Sequence, residues 1–152
     1  MSVRENIIYF AGAIRGDISE AETMKELIAW LKSEKLTVLT EHIADDTVRD
    51  KELSAEEIET RDIAWLDQAV YVIAEISGAS TGTGREIEYA RLKDRFGKVP
   101  AKVLCLYNID KEYYASPMIR GMTPDRYPNV EVSSYKNIAE AKKIIRDFLD
   151  DK

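Results

Sequence analysis

The feature that most constrains this chain is an alternation of short apolar runs of strand length with stretches of helical spacing. Ile7-Ile8-Tyr9-Phe10-Ala11 is a first strand, apolar on both faces. Ser19 with Glu22 three residues on reads as a capping box. It opens a helix in which Met24, Leu27, Ile28 and Leu31 fall at i, i+3, i+4 and i+7. Thr37-Val38-Leu39-Thr40 is a second strand, and Ser54 with Glu57 is another capping box, opening a helix that runs to about Gln68. Val70-Tyr71-Val72-Ile73-Ala74 is a third strand. The turn Ser80-Thr81-Gly82-Thr83-Gly84 then leads into a helix from about Arg85 to Phe96. Lys102 to Tyr107 is a fourth strand, Val130-Glu131-Val132 a short fifth, and a last helix from near Asn137 carries Ile138, Ala141, Ile145 and Phe148 on one face. Strands apolar on both faces need cover on both sides. The order therefore predicts an α/β fold: a Rossmann-like (flavodoxin-like) five-stranded parallel sheet with helices on both faces, one domain over residues 1–152.

A chain of 152 residues can bury such a core without disulfides or metals. Its single cysteine, Cys105, lies in an apolar run and reads as a core residue, and a chain with one cysteine forms no intrachain disulfide. Twenty-two basic against 28 acidic residues give a net charge of −6, which disfavours a nucleic acid polymer as partner but leaves room for a local anion site. No apolar stretch reaches the ~20 residues of a membrane span, and the N-terminus lacks signal-peptide character, so a cytoplasmic protein without a membrane partner is expected, or a nuclear one in a eukaryote. Residues Asn108 to Asn129 are the longest stretch without clear periodicity and suit a lid or an interface.

Open parallel sheets bind ligands at the carboxyl ends of their strands. After the first strand, Gly12-Ala13-Ile14-Arg15-Gly16 can offer backbone N–H groups and a guanidinium to an anion, or can be a plain tight turn. The loop lacks the Gly-Lys-Ser/Thr ending of a Walker loop. Glu86, placed in the first turn of the third helix, is a candidate for site chemistry or a residue that merely complements the helix dipole. Asp62 lies beside the apolar stripe of its helix, where a partly desolvated carboxyl suits acid–base work; the plainer reading pairs it with Arg61. His42, the only histidine, lines a pocket or sits satisfied at the surface, and a lone histidine without a cysteine cluster argues against a zinc site. Ser116-Pro117-Met118-Ile119-Arg120-Gly121 is a polar-basic cluster of no meaning by itself.

Together these segments resemble the 2′-deoxynucleoside 5′-phosphate N-hydrolases of the nucleoside 2-deoxyribosyltransferase superfamily. The matching pieces are Ile8 to Gly16, Leu39-Thr40-Glu41-His42, Arg61 to Leu66, Ala74-Glu75-Ile76, Ser80 to Glu86, Val103 to Leu106 and Ser116 to Gly121. The resemblance implies that Glu86 attacks C1′, that Asp62 handles protons at the leaving base or the incoming water, and that Tyr9 orients nucleophile and sugar. It further implies that Gly12, Ala13, Ile14, Arg15 and Gly16 form a 5′-phosphate loop, with Ser80 and Gly82 a second set of phosphate contacts. His42 would line the base side of the pocket. Ser116, with Met118 near it, would reach the neighbouring site of a homodimer. Two positions depart from the family pattern: Ala13 stands where a serine is usual and Arg85 where an aromatic is usual.

The expectation is therefore an enzyme that hydrolyses the N-glycosidic bond of (2′-deoxy)nucleoside 5′-monophosphates, with no cofactor and no metal. Two carboxylates flanking an oxocarbenium-like centre suit this chemistry. The helix start would keep Glu86 ionised, and the apolar stripe would raise the pKa of Asp62. The alternatives are a nucleoside 2-deoxyribosyltransferase, a ribonucleotide hydrolase, and a non-catalytic nucleotide-sensing module.

Overall fold

The computed structural model describes residues 7–13, 19–39 and 53–150. Five strands, β1 (Ile7–Ala11), β2 (Thr37–Leu39), β3 (Tyr71–Glu75), β4 (Lys102–Asn108) and β5 (Val130–Tyr135), form one sheet in the order β2-β1-β3-β4-β5. Every neighbouring pair is parallel. Side chains alternate across a strand, so β1 sends Ile8 and Phe10 to one face and Tyr9 and Ala11 to the other. The first face packs with Ile73 and Leu104 under α1 (Ala21–Ser33) and α5 (Ile138–Asp150). The second packs with Val72, Ala74 and Cys105 under α2 (Ala55–Gln68) and α3 (Thr81–Leu92). The expected helices on both faces are thus present. Cys105 is fully buried, and burial pushes its thiol up to about 12, so it is a packing residue.

The chain leaves β1 toward β2 on one side and β3 toward β4 on the other. The strand order therefore reverses between β1 and β3, and in doubly wound sheets the carboxyl ends of such a strand pair form the ligand crevice. Gly12 sits at that point: a Cβ there would lie 2.1 Å from Met24 Sδ, so any other residue would have to displace the Met24 side chain of α1. On the other face, the Lys93 ammonium, in a 3₁₀ turn after α3, is wholly buried. It donates to the carbonyls of Leu66 (2.7 Å), Ala69 (2.6 Å) and Asp67 (3.3 Å), closing the C-terminal end of α2.

Two helix starts differ from the sequence pattern. The Ser54–Glu57 capping box is formed, but Ser19 and Glu22 do not make one. Helix α1 begins at Ala21 with Glu20 at its N-cap, and the Ser19 hydroxyl instead accepts from Lys111 Nζ at 2.7 Å. Helix α3 begins at Thr81, not Arg85, because Ser80 caps it by accepting from the Thr83 N–H at 3.2 Å. Both Gly82 and Gly84 are thus helical, and Glu86 lies in the second turn. The stretch expected to lack periodicity contains a 3₁₀ segment (Ile109–Tyr114) and the short helix α4 (Pro117–Arg120).

Candidate functional site

The site is built where β1, α2 and α3 meet at the crevice. Ser80, Gly82 and Glu86 share one side of the start of α3: a Cβ on Gly82 would sit 3.8 Å from Glu86 Oε1 and 3.9 Å from Ser80 Oγ. Glycine therefore leaves room beside the carboxylate and the hydroxyl. The first-turn N–H groups of α3 that lack helical partners face outward at this end, which suits an anion.

Across from α3, the Tyr9 hydroxyl hydrogen-bonds the Glu86 carboxylate. Tyr9 is 1% exposed, and burial, followed by the charge of Glu86, holds its phenol far above the usual range, so it remains a donor. The Glu86 carboxyl is raised to about 7, first by burial and then by the charge of Asp62, while the Tyr9 bond and the Arg85 cation pull it down. The expectation that the helix start keeps Glu86 ionised is overturned: a second-turn residue lies beyond the reach of the first-turn field, and desolvation dominates. The Arg85 guanidinium itself pairs with Glu59 of α2 at 2.9 Å.

Asp62 is placed on α2, close enough to act electrostatically on both Tyr9 and Glu86. It also pairs with Arg61, as the plainer reading held: Arg61 Nε and a terminal nitrogen each lie 3.0 Å from Asp62 Oδ1. The two readings are compatible, because the pair sits at the edge of the site with both side chains mostly covered.

A second polar cluster was not singled out from the sequence. At the carboxyl end of β3, Glu75 is 2% exposed. It accepts from the Ser77 N–H (2.6 Å), the Ser77 hydroxyl (3.0 Å) and the Tyr135 hydroxyl. The Tyr135 oxygen also lies 3.3 Å from Glu20 Oε2, and Glu20 is held by Lys111 at 2.6 Å. The Asn108 N–H donates to Ser77 Oγ at 2.8 Å. Burial raises the Glu75 carboxyl, against the pull of these donors. The network ties the ends of β3, β4 and β5 to the start of α1. Its one sequence signal was a glutamate closing an apolar strand run.

Of the residues singled out in the sequence, Tyr9, Asp62, Ser80, Gly82 and Glu86 are brought together. Gly12 and Ala13 are buried at the end of β1. Ile14, Arg15, Gly16 and His42 lie outside the described residues. Ser116 caps α4 by accepting from the Met118 N–H at 3.2 Å. Ser116 is exposed, as is Met118 at 83%, and no hydrogen bond or ion pair among the described residues joins them to the cluster. Also among the described residues, no group of three or more His, Cys, Asp or Glu side chains could hold a metal, and no helix is long and apolar enough to cross a membrane.

Residues 8–140 match the sequence family described as nucleoside 2-deoxyribosyltransferase. The chain is 33% identical over 135 residues to a Thermofilum pendens protein named provisionally as a 2′-deoxynucleoside 5′-phosphate N-hydrolase 1, with 88% of each chain covered. It is 34% identical over 145 residues to a 5-hydroxymethyl-dUMP N-hydrolase of Tetraodon nigroviridis, covering 93% of this chain and 95% of the relative. Among solved structures it is similar to the CMP N-glycosidase BcmB of Clostridium botulinum, with a TM-score of 0.63 at 20% identity over 93% of this chain and 98% of the other, which supports the fold.

Proposed function

Since the chain belongs to the nucleoside 2-deoxyribosyltransferase family, we propose that it hydrolyses the N-glycosidic bond of 2′-deoxynucleoside 5′-monophosphates with Glu86 as nucleophile. The observation that carries this reading is the hydrogen bond from buried Tyr9 to Glu86, with Asp62 alongside and the open start of α3 one turn away. The names of the relatives, which act on nucleoside monophosphates, support the substrate class. The ionised Glu86 oxygen attacks C1′. The C1′–N bond breaks as the glycosyl ester forms, and the base leaves with the electron pair and takes a proton relayed at Asp62. Water then attacks C1′ while Asp62 takes one of its protons, the C1′–O bond to Glu86 breaks, and the sugar 5-phosphate leaves with the Glu86 carboxylate and the Asp62 proton both restored. In this reading the start of α3, with Ser80 and Gly82, and the end of β1, with Gly12 and Ala13, bind the 5′-phosphate, while Ile14, Arg15 and Gly16 keep the phosphate role and His42 the base role that the resemblance implies. The active unit in this reading is a cytoplasmic homodimer, in which exposed Ser116 and Met118 complete the partner's site.

One observation favours a second mechanism at the same site. A carboxyl near 7 is well matched to a general base, so Glu86 could activate water for direct attack. The two mechanisms differ in stereochemistry: ester formation retains configuration at C1′ and direct attack inverts it. The test is incubation of wild type and Glu86→Gln with a set of deoxynucleoside and ribonucleoside 5′-monophosphates and the matching nucleosides, with and without a second free base. The expected products are free base and sugar phosphate, formed with retention from the deoxynucleotide and absent with Glu86→Gln. Base exchange on unphosphorylated nucleosides would make the chain a transferase, and nucleotide binding without turnover would make it a sensing module.

A further inference from the structure

The pairing of Arg61 with Asp62 has an asymmetry. Two guanidinium nitrogens converge on one carboxylate oxygen, Oδ1, each at 3.0 Å. The guanidinium is itself held: its central carbon lies 4.7 Å from the ring centroid of Trp65, one helical turn on. Side-chain exposure of 20% for both Arg61 and Asp62 means that the pair is largely withdrawn from water. Trp65, Arg61 and Asp62 thus form a chain along α2 that ends in a carboxylate within electrostatic reach of Tyr9 and Glu86. A lysine could neutralise the charge but could not fork onto one oxygen while stacking on an indole.

We propose that Arg61 is a positioning residue: stacked on Trp65, it grips Asp62 through Oδ1 and so fixes that carboxylate near Tyr9 and Glu86 for proton transfer at the leaving base. The inference rests on the glycosidase reading above. Arg61 acts through Asp62, so its loss should lower kcat and leave KM for the nucleotide nearly unchanged. Loosening a group that must be held in place costs roughly ten- to a hundredfold in rate.

The experiment is a double-mutant cycle of Arg61→Met and Asp62→Asn on the full chain, with Arg61→Lys and Trp65→Leu alongside. Arg61→Met is expected to reduce kcat ten- to a hundredfold with KM changed less than threefold. Once Asp62 is already Asn, it should have almost no further effect. Arg61→Lys and Trp65→Leu should each fall between wild type and Arg61→Met. Additive losses in the cycle, or a loss wholly in KM, would overturn the proposal. An independent readout separates its failure from that of the glycosidase reading. The Arg61 Nε–H signal in nitrogen-15 NMR should be protected from exchange in wild type and exposed in Asp62→Ala, whatever the protein turns over. Equal exchange in both proteins would show that the clamp does not exist in solution.

Discussion

Tyr9→Phe isolates what the hydroxyl does for the nucleophile. As the proposed nucleophile Glu86 must be ionised to attack, and burial raises its carboxyl to about 7. In wild type, kcat/KM should therefore rise tenfold per pH unit below about 7 and level off above it. The Tyr9 bond favours the ionised form. A hydrogen bond to a charged group contributes about 1.5–3 kcal/mol, and about 1.4 kcal/mol corresponds to one pH unit. Losing the bond should move the acid limb upward by roughly one to two pH units. The phenol cannot confuse the profile, because it stays protonated throughout the range.

At pH 7 half of the wild-type Glu86 would be ionised, against about a tenth to a hundredth in Tyr9→Phe, a five- to fiftyfold loss. At pH 9.5 most of that loss should be recovered, and what remains measures the part of Tyr9 that orients the sugar. The phenylalanine ring keeps the packing of a residue that is already 1% exposed. The assay is base release from a deoxynucleoside 5′-monophosphate between pH 5 and 10. An acid limb that stays in place, or a loss of equal size at every pH, would refute the assignment of the hydroxyl to Glu86.

Glu86→Gln should be more stable than wild type above pH 7. The folded carboxyl is raised from 4.5 to about 7, so the unfolded chain gives up its proton first and wild-type stability falls as pH rises through that window. The difference should reach about 3 kcal/mol at pH 8 and close by pH 4.5, as read by denaturant titration. Lys93→Met leaves the three α2 carbonyls that Lys93 satisfies without their donor. It should cost on the order of 3 kcal/mol, or about 6–12 °C in Tm by calorimetry. Ser116→Ala should lower affinity for the nucleotide with little effect on the matching nucleoside, and sedimentation should show a dimer; a fully active monomer would remove Ser116 from the site.

The fold was legible because β1, β3 and β4 are apolar on both faces, a pattern that a chain of this size satisfies with a doubly covered parallel sheet. Of the proposed site, the residue types and their order were legible: Tyr9 within β1, Asp62 on one helix and Glu86 on the next, three side chains that the structure brings near one another. The start of α3 was misplaced because glycines read as a turn, whereas the Ser80 cap carries the helix back to Thr81. The Ser19–Glu22 box failed for the opposite reason: a tertiary partner, Lys111, takes the serine that local spacing assigns to the helix. Lys93 and the Glu20–Tyr135–Glu75 bridge were invisible, since each joins elements far apart in sequence. Charge state was the least legible property of all. Spacing puts Glu86 near a helix start, but only the packed structure shows that it is desolvated there.

That desolvation bears on what the site can do. A carboxylate left in water is well solvated and a poor nucleophile toward a neutral sugar carbon. Burying it removes that solvation, at the cost of raising its pKa into the range where half the molecules are protonated at neutral pH. The surroundings of Glu86 oppose one another for this reason. Tyr9 and Arg85 pull the carboxyl toward the charged form, while burial and Asp62 push it away. Arg61 pairs with Asp62 and Glu59 with Arg85, so the charges on either side of the nucleophile are themselves partly offset. In the proposed mechanism, positive charge develops at C1′ between Glu86 and Asp62 as the transition state forms, and both carboxylates would then gain an attraction they lack in the free protein. An arrangement that is unfavourable in the free protein becomes favourable when that cation appears between them. By this reasoning the same burial should destabilise the resting fold above pH 7 and speed bond cleavage, so the stability gained by Glu86→Gln and the activity it loses have one physical origin.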